Sequence, residues 1–450
     1  MPANVIDELI HPRSIAIVGA INRGFGGGMY IDGLQEFGFR GNIYLINPKY
    51  SEFKGLKCYS DLSSVPGPVD YLISSVPARE VLPMLEEAAL KNVKLVQLFT
   101  ARLGETGRPE AIDLEQRILK SIMEKGMRLM GPNCLGLHYP AAGISWLKNA
   151  PQASGIAGLA SQSGMLAAEI ILTSRLRGIY FSKAFSFGNA IDLNESDYLE
   201  YLAHDPETKL IMIYIEGVKN GQRFFNILRK ATVLKPVIIL KGGKSESGAR
   251  ATSSHTASLA GSAKTWDAMI DQAGAVTADS LEELFDIATS FYFLPPFTGR
   301  RVGVGGCTGG TSVLAADQCE KAGLDVIPLP KEFREELEKR GISVWDWLSN
   351  PADFSIREDE RLTIGLIMEM MAKNERFDLL ITLLGLPVGA QRLPGMSMET
   401  YIEQQYHLEA CREKPFLAVV AERSVGVGDD FEHRVIAKVG FQIAEVFHHR

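Results

Sequence analysis

Short runs of β-branched and aromatic residues alternate along the chain with longer amphipathic stretches, the pattern of parallel strands joined by helices. SIAIVG (14–19), NIYLIN (42–47), VDYLISS (69–75), KLVQLF (94–99) and MRLM (127–130) predict a first series of strands. IAGLA (156–160), IYFSKAF (179–185), KLIMIYI (209–215) and PVIIL (236–240) predict a second. RVGVGG (301–306), LDVIPL (324–329), FDLLITLL (377–384) and PFLAVV (415–420) predict a third. Stretches containing proline and glycine, NAPQASG (149–155) and FLPPFTGR (293–300), separate the three series. The fold class is therefore α/β, with three Rossmann-like or flavodoxin-like parallel-sheet domains expected at 1–147, 148–296 and 297–450. A chain of 450 residues is long enough for three such cores.

Composition narrows the partners. The net charge is −7, without the basic surplus by which nucleic-acid binders neutralise phosphates. No nucleic-acid partner is expected, and small molecules are favoured. No run reaches the ~18 apolar residues of a membrane span, and the opening MPANVIDELIHPRS lacks a basic segment followed by an apolar one. A cytoplasmic protein without membrane contact is expected. The five cysteines (Cys58, Cys134, Cys307, Cys319, Cys411) are scattered and form no C-x-x-C pair, so neither a metal site nor a disulfide framework is expected.

Candidate chemistry begins at the first predicted strand, which runs into a turn holding Gly19, Gly24, Gly26, Gly27 and Gly28 before a helix. Such a turn lets backbone amides approach a pyrophosphate; the alternative is that the glycines only permit close helix–strand packing. The spacing is not G-x-G-x-x-G, and the second strand ends in Asn47-Pro48-Lys49 where a dinucleotide site would place an acid for the ribose. That weighs against a dehydrogenase, and the lysine suits an additional phosphate, as in CoA or NADP. SSVPARE (74–80) and GPNCLGL (131–137) lie at further strand ends and can line the same crevice. Cys134 reads as a small buried hydrophobe and receives no catalytic role.

In the second series, Ser161, Gln162, Ser163 and Gly164 lie between a strand and a helix, a phosphate-type anion site or, on the plainer reading, a serine N-cap. His255 lies in KSESGARATSSHTASLAGS, a polar stretch expected to be an accessible loop before a helix. By itself it reads first as an ordinary surface histidine. Glu216 follows KLIMIYI and reads as a strand-end acid, projecting into a site or capping a helix. The Gly-Lys-Ser in KGGKSESG (241–248) is not a P-loop, because Ile238 stands where that motif needs glycine.

Taken together, IAIVGA, INPKYSEFKGLKCYSDL, SSVPA and GPNCLG resemble the CoA-binding domain of ADP-forming acyl-CoA synthetases and the related succinyl-CoA synthetases. ASQSGMLAAEI, SFGNAIDLNESDYLEYLAHDPETK, YIEGVKNGQRF and SSHTASLAGS resemble the ligase domain of the same family, and GVGGCTGGTSVLAADQCEKAGL with SNPADF resembles the α/β domain that follows it. LFTARLGETG (98–107) departs from the family's serine–alanine–glycine segment near CoA, and the closing residues depart from its proline–glutamate–arginine ending. The resemblance implies a CoA site at Gly19, Ala20, Asn22, Gly24, Asn47, Lys49, Ser75, Val76, Pro77 and Asn133. It implies phosphate at residues 161–164, a phosphoryl group carried on His255, and Glu216 as the partner of that histidine. It further implies a small carboxylic acid as product, and a hetero-oligomer in which an ATP-grasp beta subunit supplies ADP/ATP and Mg. The alternatives are a non-catalytic CoA-binding regulatory or scaffold subunit and, less compatible with the glycine spacing, an NADP-dependent dehydrogenase.

Overall fold

In the computed structural model the apolar runs among the described residues assemble into three sheets. The described residues are 4–19, 22, 26–256, 263–295, 297–306, 309–343, 348–353, 359, 361–384, 414–421 and 444–449. The first sheet contains β1 (Ser14–Gly19), β2 (Asn42–Ile46), β3 (Glu52–Phe53), β4 (Leu56–Tyr59), β5 (Tyr71–Ser75), β6 (Leu95–Leu98) and β7 (Arg128–Met130). Its order is β3-β4-β2-β1-β5-β6-β7, parallel throughout except for the β3–β4 pair. Ile15, Ala16 and Ile17 are consecutive and all fully buried, which requires cover on both faces and explains the unbroken apolar run.

The second sheet contains β8 (Gly136–His138), β9 (Ala157–Ser161), β10 (Phe181–Ser186), β11 (Leu210–Ile215), β12 (Val237–Lys241) and β13 (Val276–Ala278), in the order β13-β12-β11-β9-β10-β8. Only β8 runs antiparallel to its neighbour, with His138 opposite Ala184. Residues 1–175 and 179–288 form one compact unit that holds both sheets. Two features join the sheets. Arg128, at the start of β7, donates from Nε and Nη2 to Asp192 at 2.9 and 2.7 Å, and the Leu129 N–H joins it at 2.8 Å. Gly188 has φ +57°, and a Cβ there would collide with the carbonyl oxygens of Pro132 and Asn133. Only glycine lets the loop after β10 lie this close to the loop after β7. Within the second sheet Lys183 is 1% exposed. Its ammonium binds Asp205 at 3.0 Å and also Glu207, and lies 4.4 Å from the ring centroid of Tyr139. A charge so deeply placed persists only because it is paired.

Residues 176–178 and 289–450 form the other compact unit. Its sheet is β14 (Val302–Gly305), β15 (Leu379–Leu384), β16 (Phe416–Ala421) and β17 (Ala444–His449), all parallel and in that order. One core gathers Phe333, Leu337, Ile367, Met371, Phe377 and Phe416, and a smaller one Val302, Val304, Cys319 and Leu379. The strand expected at 324–329 does not form; only a single bridge joins Arg301 to Asp325. Pro328 and Pro330 carry no N–H to donate to a ladder. The Asn350 side chain takes the ladder's place, donating to the carbonyls of Val302 at 2.7 Å and Ile327 at 2.8 Å and accepting the Val304 N–H at 2.8 Å. Among the described residues, no helix is long and apolar enough to cross a membrane.

Candidate active site

In the first sheet β1 lies between β2 and β5, so the chain leaves it in opposite directions and a crevice opens beyond its C-terminal end. Gly19 ends β1 with φ +109°, and a Cβ there would meet the Ser75 carbonyl carbon at 2.8 Å. The glycine thus serves the close approach of β1 and β5 as well as any ligand. Asn47 spans the crevice, its Nδ2 donating to the Gly19 carbonyl at 2.8 Å while its Oδ1 accepts the Lys49 N–H at 2.9 Å. Lys49 itself is exposed. Ser75 Oγ donates to the Val18 carbonyl at 3.2 Å, and Thr100 Oγ1 donates to the Val76 carbonyl at 2.7 Å. Pro77 and Asn22 are exposed at the same rim, and Ala20 and Gly24 lie outside the described residues.

The second sheet repeats the arrangement, with β9 between β10 and β11. Ser161, the last residue of β9, is fully buried and donates its hydroxyl to the Ser163 carbonyl at 2.7 Å. Ser163 caps the helix Gly164–Ser174, its side chain accepting the Leu166 N–H at 3.4 Å. The first-turn amides of that helix have no intrahelical acceptor, and they carry the partial positive charge of the helix N-terminus. Gln162 is buried and turns the other way: its Oε1 accepts the N–H groups of Glu216 at 2.8 Å and Gly217 at 3.2 Å. Ser161 and Gln162 are therefore the scaffold of the turn, and the half-buried Ser163 and Gly164 begin the helix.

Glu216 follows β11 and is 6% exposed. Its Oε1 accepts the Tyr214 hydroxyl at 3.2 Å, and burial, then the adjacent carboxylate, push the Tyr214 pKa well up. Lys241, at the end of β12, donates from Nζ to the Glu216 carbonyl at 2.8 Å and also to Gly242. Burial lowers the Lys241 pKa, with Glu216 opposing the shift.

The backbone of His255 belongs to the helix Glu246–Thr256, a correction to the loop expected there; its side chain lies outside the described residues. The helix has an ordinary local cause. Ser245 accepts the Ala249 N–H on its carbonyl at 2.7 Å and the Gly248 N–H on its hydroxyl at 3.0 Å, and Glu246 sits in the positive first turn. A Cβ on Gly243 would come within 2.7 Å of Thr252 Oγ1, so the turn after β12 lies against this helix. The helix also packs on the turn Gly104–Thr106, from the loop after β6.

That turn belongs to a junction between the two sheets. Glu105 accepts the backbone N–H groups of Arg102 and, at 3.0 Å, Leu103, and takes the Asn189 side-chain amide at 2.7 Å. Asn189 is 5% exposed; its N–H donates to the Pro132 carbonyl at 2.9 Å and its Oδ1 accepts the Asn133 side chain at 3.4 Å. Loops following β6, β7 and β10 thus meet at one point.

Comparison with known proteins agrees with this geometry. The CoA binding domain matches residues 13–140, and the succinyl-CoA ligase like flavodoxin domain matches residues 154–291. The ADP-forming acetate–CoA ligase II subunit alpha of Pyrococcus furiosus is 36% identical over 419 residues, covering 92% of this chain and 90% of that protein. The chain belongs to the ADP-forming acyl-CoA synthetase family. ADP-forming acetate–CoA ligase I of Archaeoglobus fulgidus is 35% identical over 84% of this chain, which spans 55% of that relative's length. The solved dinucleotide-forming acetyl-coenzyme A synthetase 1 of Ca. Korarchaeum cryptofilum, in complex with phosphate and ADP, matches with a TM-score of 0.82 at 28% identity. The match covers 96% of this chain and 92% of that one.

Sequence reasoning did not single out Glu105, Asn189, Tyr214 or Lys241 in this synthetase chain. Tyr214 and Lys241 carry a weak signal, since each stands at or next to the C-terminal end of a predicted strand. Burial pushes the Cys134 thiol pKa well up, which suits the inert role read from the sequence and not a thiolate nucleophile. Among the described residues, no group of three or more His, Cys, Asp or Glu is arranged to hold a metal ion.

Proposed function

We propose that this acid–thiol ligase is an alpha-type subunit catalysing acyl-CoA + phosphate + NDP ⇌ carboxylic acid + CoA + NTP. Of the proposed CoA residues, Gly19 ends β1, and Ala20, Asn22 and Gly24 follow it in the sequence. Asn47 and Lys49 stand opposite, and Ser75, Val76, Pro77 and Asn133 line the remaining strand ends. A phosphate oxygen, with the anion held by the Ser163 and Gly164 end of the helix on the Ser161–Gln162 scaffold, attacks the thioester carbonyl. The C–S bond breaks, the sulfur leaves as the thiolate of CoA, and an acyl phosphate remains. A neutral ring nitrogen of His255 then attacks phosphorus, the bond to the acyl oxygen breaks, and the carboxylate departs. Glu216 orients the ring through its other N–H and stabilises the cation that forms. An oxygen of the nucleoside diphosphate finally attacks phosphorus and the N–P bond breaks. The nucleotide and Mg belong to an ATP-grasp beta subunit in this reading. Residues 1–147, 148–296 and 297–450 serve as CoA-binding, ligase and second ligase-like parts.

The observation that carries the proposal is the pair of switch-point crevices linked through the Glu105–Asn189 contact, with the helix of His255 packed on that same junction. One crevice suits a CoA pyrophosphate and the other suits inorganic phosphate, so the two reactants of the first step meet. The test is NTP formation from acyl-CoA, phosphate and NDP. The purified chain alone is expected to make none, and addition of an ATP-grasp partner is expected to restore it. Robust synthesis by the chain alone would overturn the two-subunit reading.

The exposed Lys49 gives a second expectation. If its ammonium meets a CoA phosphate, Lys49→Ala should weaken CoA binding by about 1–3 kcal/mol in calorimetric titration. Binding of NAD as tight as that of CoA by the unaltered chain would contradict the CoA assignment.

A further inference from the structure

We infer that Glu105 is a positioning residue for phosphoryl transfer to His255, acting through the platform on which the histidine's helix rests; the inference builds on the function proposed above. Three observations converge on this carboxylate. It organises its own turn, since its two oxygens accept the N–H groups of Arg102 and, at 3.0 Å, Leu103. Arg102 has φ +67°, a left-handed conformation that a non-glycine residue holds only where its surroundings fix it. The Glu105 bonds supply that fixing.

The same carboxylate reaches across to the other sheet, taking the Asn189 side-chain amide at 2.7 Å. Asn189 is nearly buried and is itself tied to Pro132 and Asn133, so the contact is between two ordered loops and not between flexible side chains. A second carboxyl supports the turn from within the first sheet's layer: Glu115 accepts the Gly104 N–H at 3.0 Å, and burial raises its pKa.

The turn built in this way, Gly104–Thr106, is where the helix Glu246–Thr256 packs. Phosphoryl transfer from an acyl phosphate to a ring nitrogen needs the nitrogen in line with the breaking P–O bond. A misplacement of ~1 Å from a change remote from the reacting atoms can lower such a rate by about 10²-fold. Glu105 touches neither CoA nor phosphate in this reading; it sets the height and direction of the helix relative to the phosphate-binding turn.

Glu105→Gln is isosteric but offers one acceptor oxygen where the carboxylate offers two, so one of the three N–H donors must face another donor. The experiment uses the full chain with acyl-CoA and labelled phosphate, following acid-labile label on His255 over time, with CoA affinity by calorimetry and thermal midpoint beside it. The expected result is a ~10–100-fold slower appearance of phosphohistidine, with the KM for acyl-CoA, the CoA affinity and the midpoint near those of the unaltered chain. Asn189→Ala attacks the contact from the other side while leaving the Arg102 and Leu103 bonds. It should slow the same step, and the double variant should be slowed by less than the product of the two single effects, because the two residues share the Glu105–Asn189 contact. Phosphohistidine formation at the unaltered rate in Glu105→Gln overturns the inference. Loss of CoA affinity and thermal stability in parallel with the label also overturns it, since Glu105 would then be merely structural. If the unaltered chain carries no label on His255 at all, it is the proposed function that fails, and the two failures are told apart by that control.

Discussion

Replacement of His255 by alanine is expected to abolish acid-labile labelling of the chain by phosphate in the presence of the matching acyl-CoA. The expectation rests on a chemical restriction: the group that accepts the phosphoryl must be nucleophilic near neutral pH and must also release it to a nucleotide. A neutral imidazole meets both conditions. The serines of the helix Glu246–Thr256 do not, because a serine phosphate is too stable to serve as a donor without further activation. The backbone at 255 lies in the last turn of that helix, whose start is fixed independently by Ser245 and Glu246, so the substitution should leave the helix in place. CoA binding should survive, which separates loss of the carrier from loss of the fold. Residual acid-labile label in His255→Ala would mean that another side chain carries the phosphoryl group.

Glu216→Gln is expected to slow histidine phosphorylation by ~10²-fold or more. The main chain at this position is held by bonds that do not involve the carboxylate: the Glu216 N–H donates to Gln162 and its carbonyl accepts Lys241. Glutamine can keep the Tyr214 hydroxyl bond through its amide oxygen. What it removes is the negative charge, and with it the stabilisation of a ring that becomes cationic as phosphorus is attacked. An unchanged rate of labelling in Glu216→Gln would show that the carboxylate does not support the ring.

The longer strands were legible because each is covered on both faces, so that β1, β5, β11 and β12 read as unbroken apolar runs. The short strands β3, β4, β8 and β13 stand in no apolar run long enough to show a period. β8 carries the further surprise of lying in the first stretch of the chain while pairing in the second sheet. The error at 324–329 came from weighing its apolar residues above two prolines that cannot donate to a ladder. At His255 the misleading feature was polarity: the serines and glycines suggested a loop, although Ser245-Glu246 is a helix start and Ala249, Arg250 and Ala251 are good helix formers. The junction was beyond sequence reading for another reason. Glu105 and Asn189 are 84 residues apart, and only the folding of two sheets against each other brings them together. The roles within the SQSG turn were likewise invisible, since nothing in the residue types says that Gln162 faces inward to hold the Glu216 backbone.

The most direct test of a phosphohistidine carried by this chain is to locate the label in the unaltered protein. After incubation with acyl-CoA and labelled phosphate, the chain is digested under mildly alkaline conditions and the labelled peptide is sequenced by mass spectrometry. A label on His255 that is lost in acid and retained in base is predicted, because protonation of the phosphoramidate nitrogen makes it a good leaving group. A label on Ser161 or Ser163 that withstands acid, or release of CoA with no label on the protein at all, would contradict it.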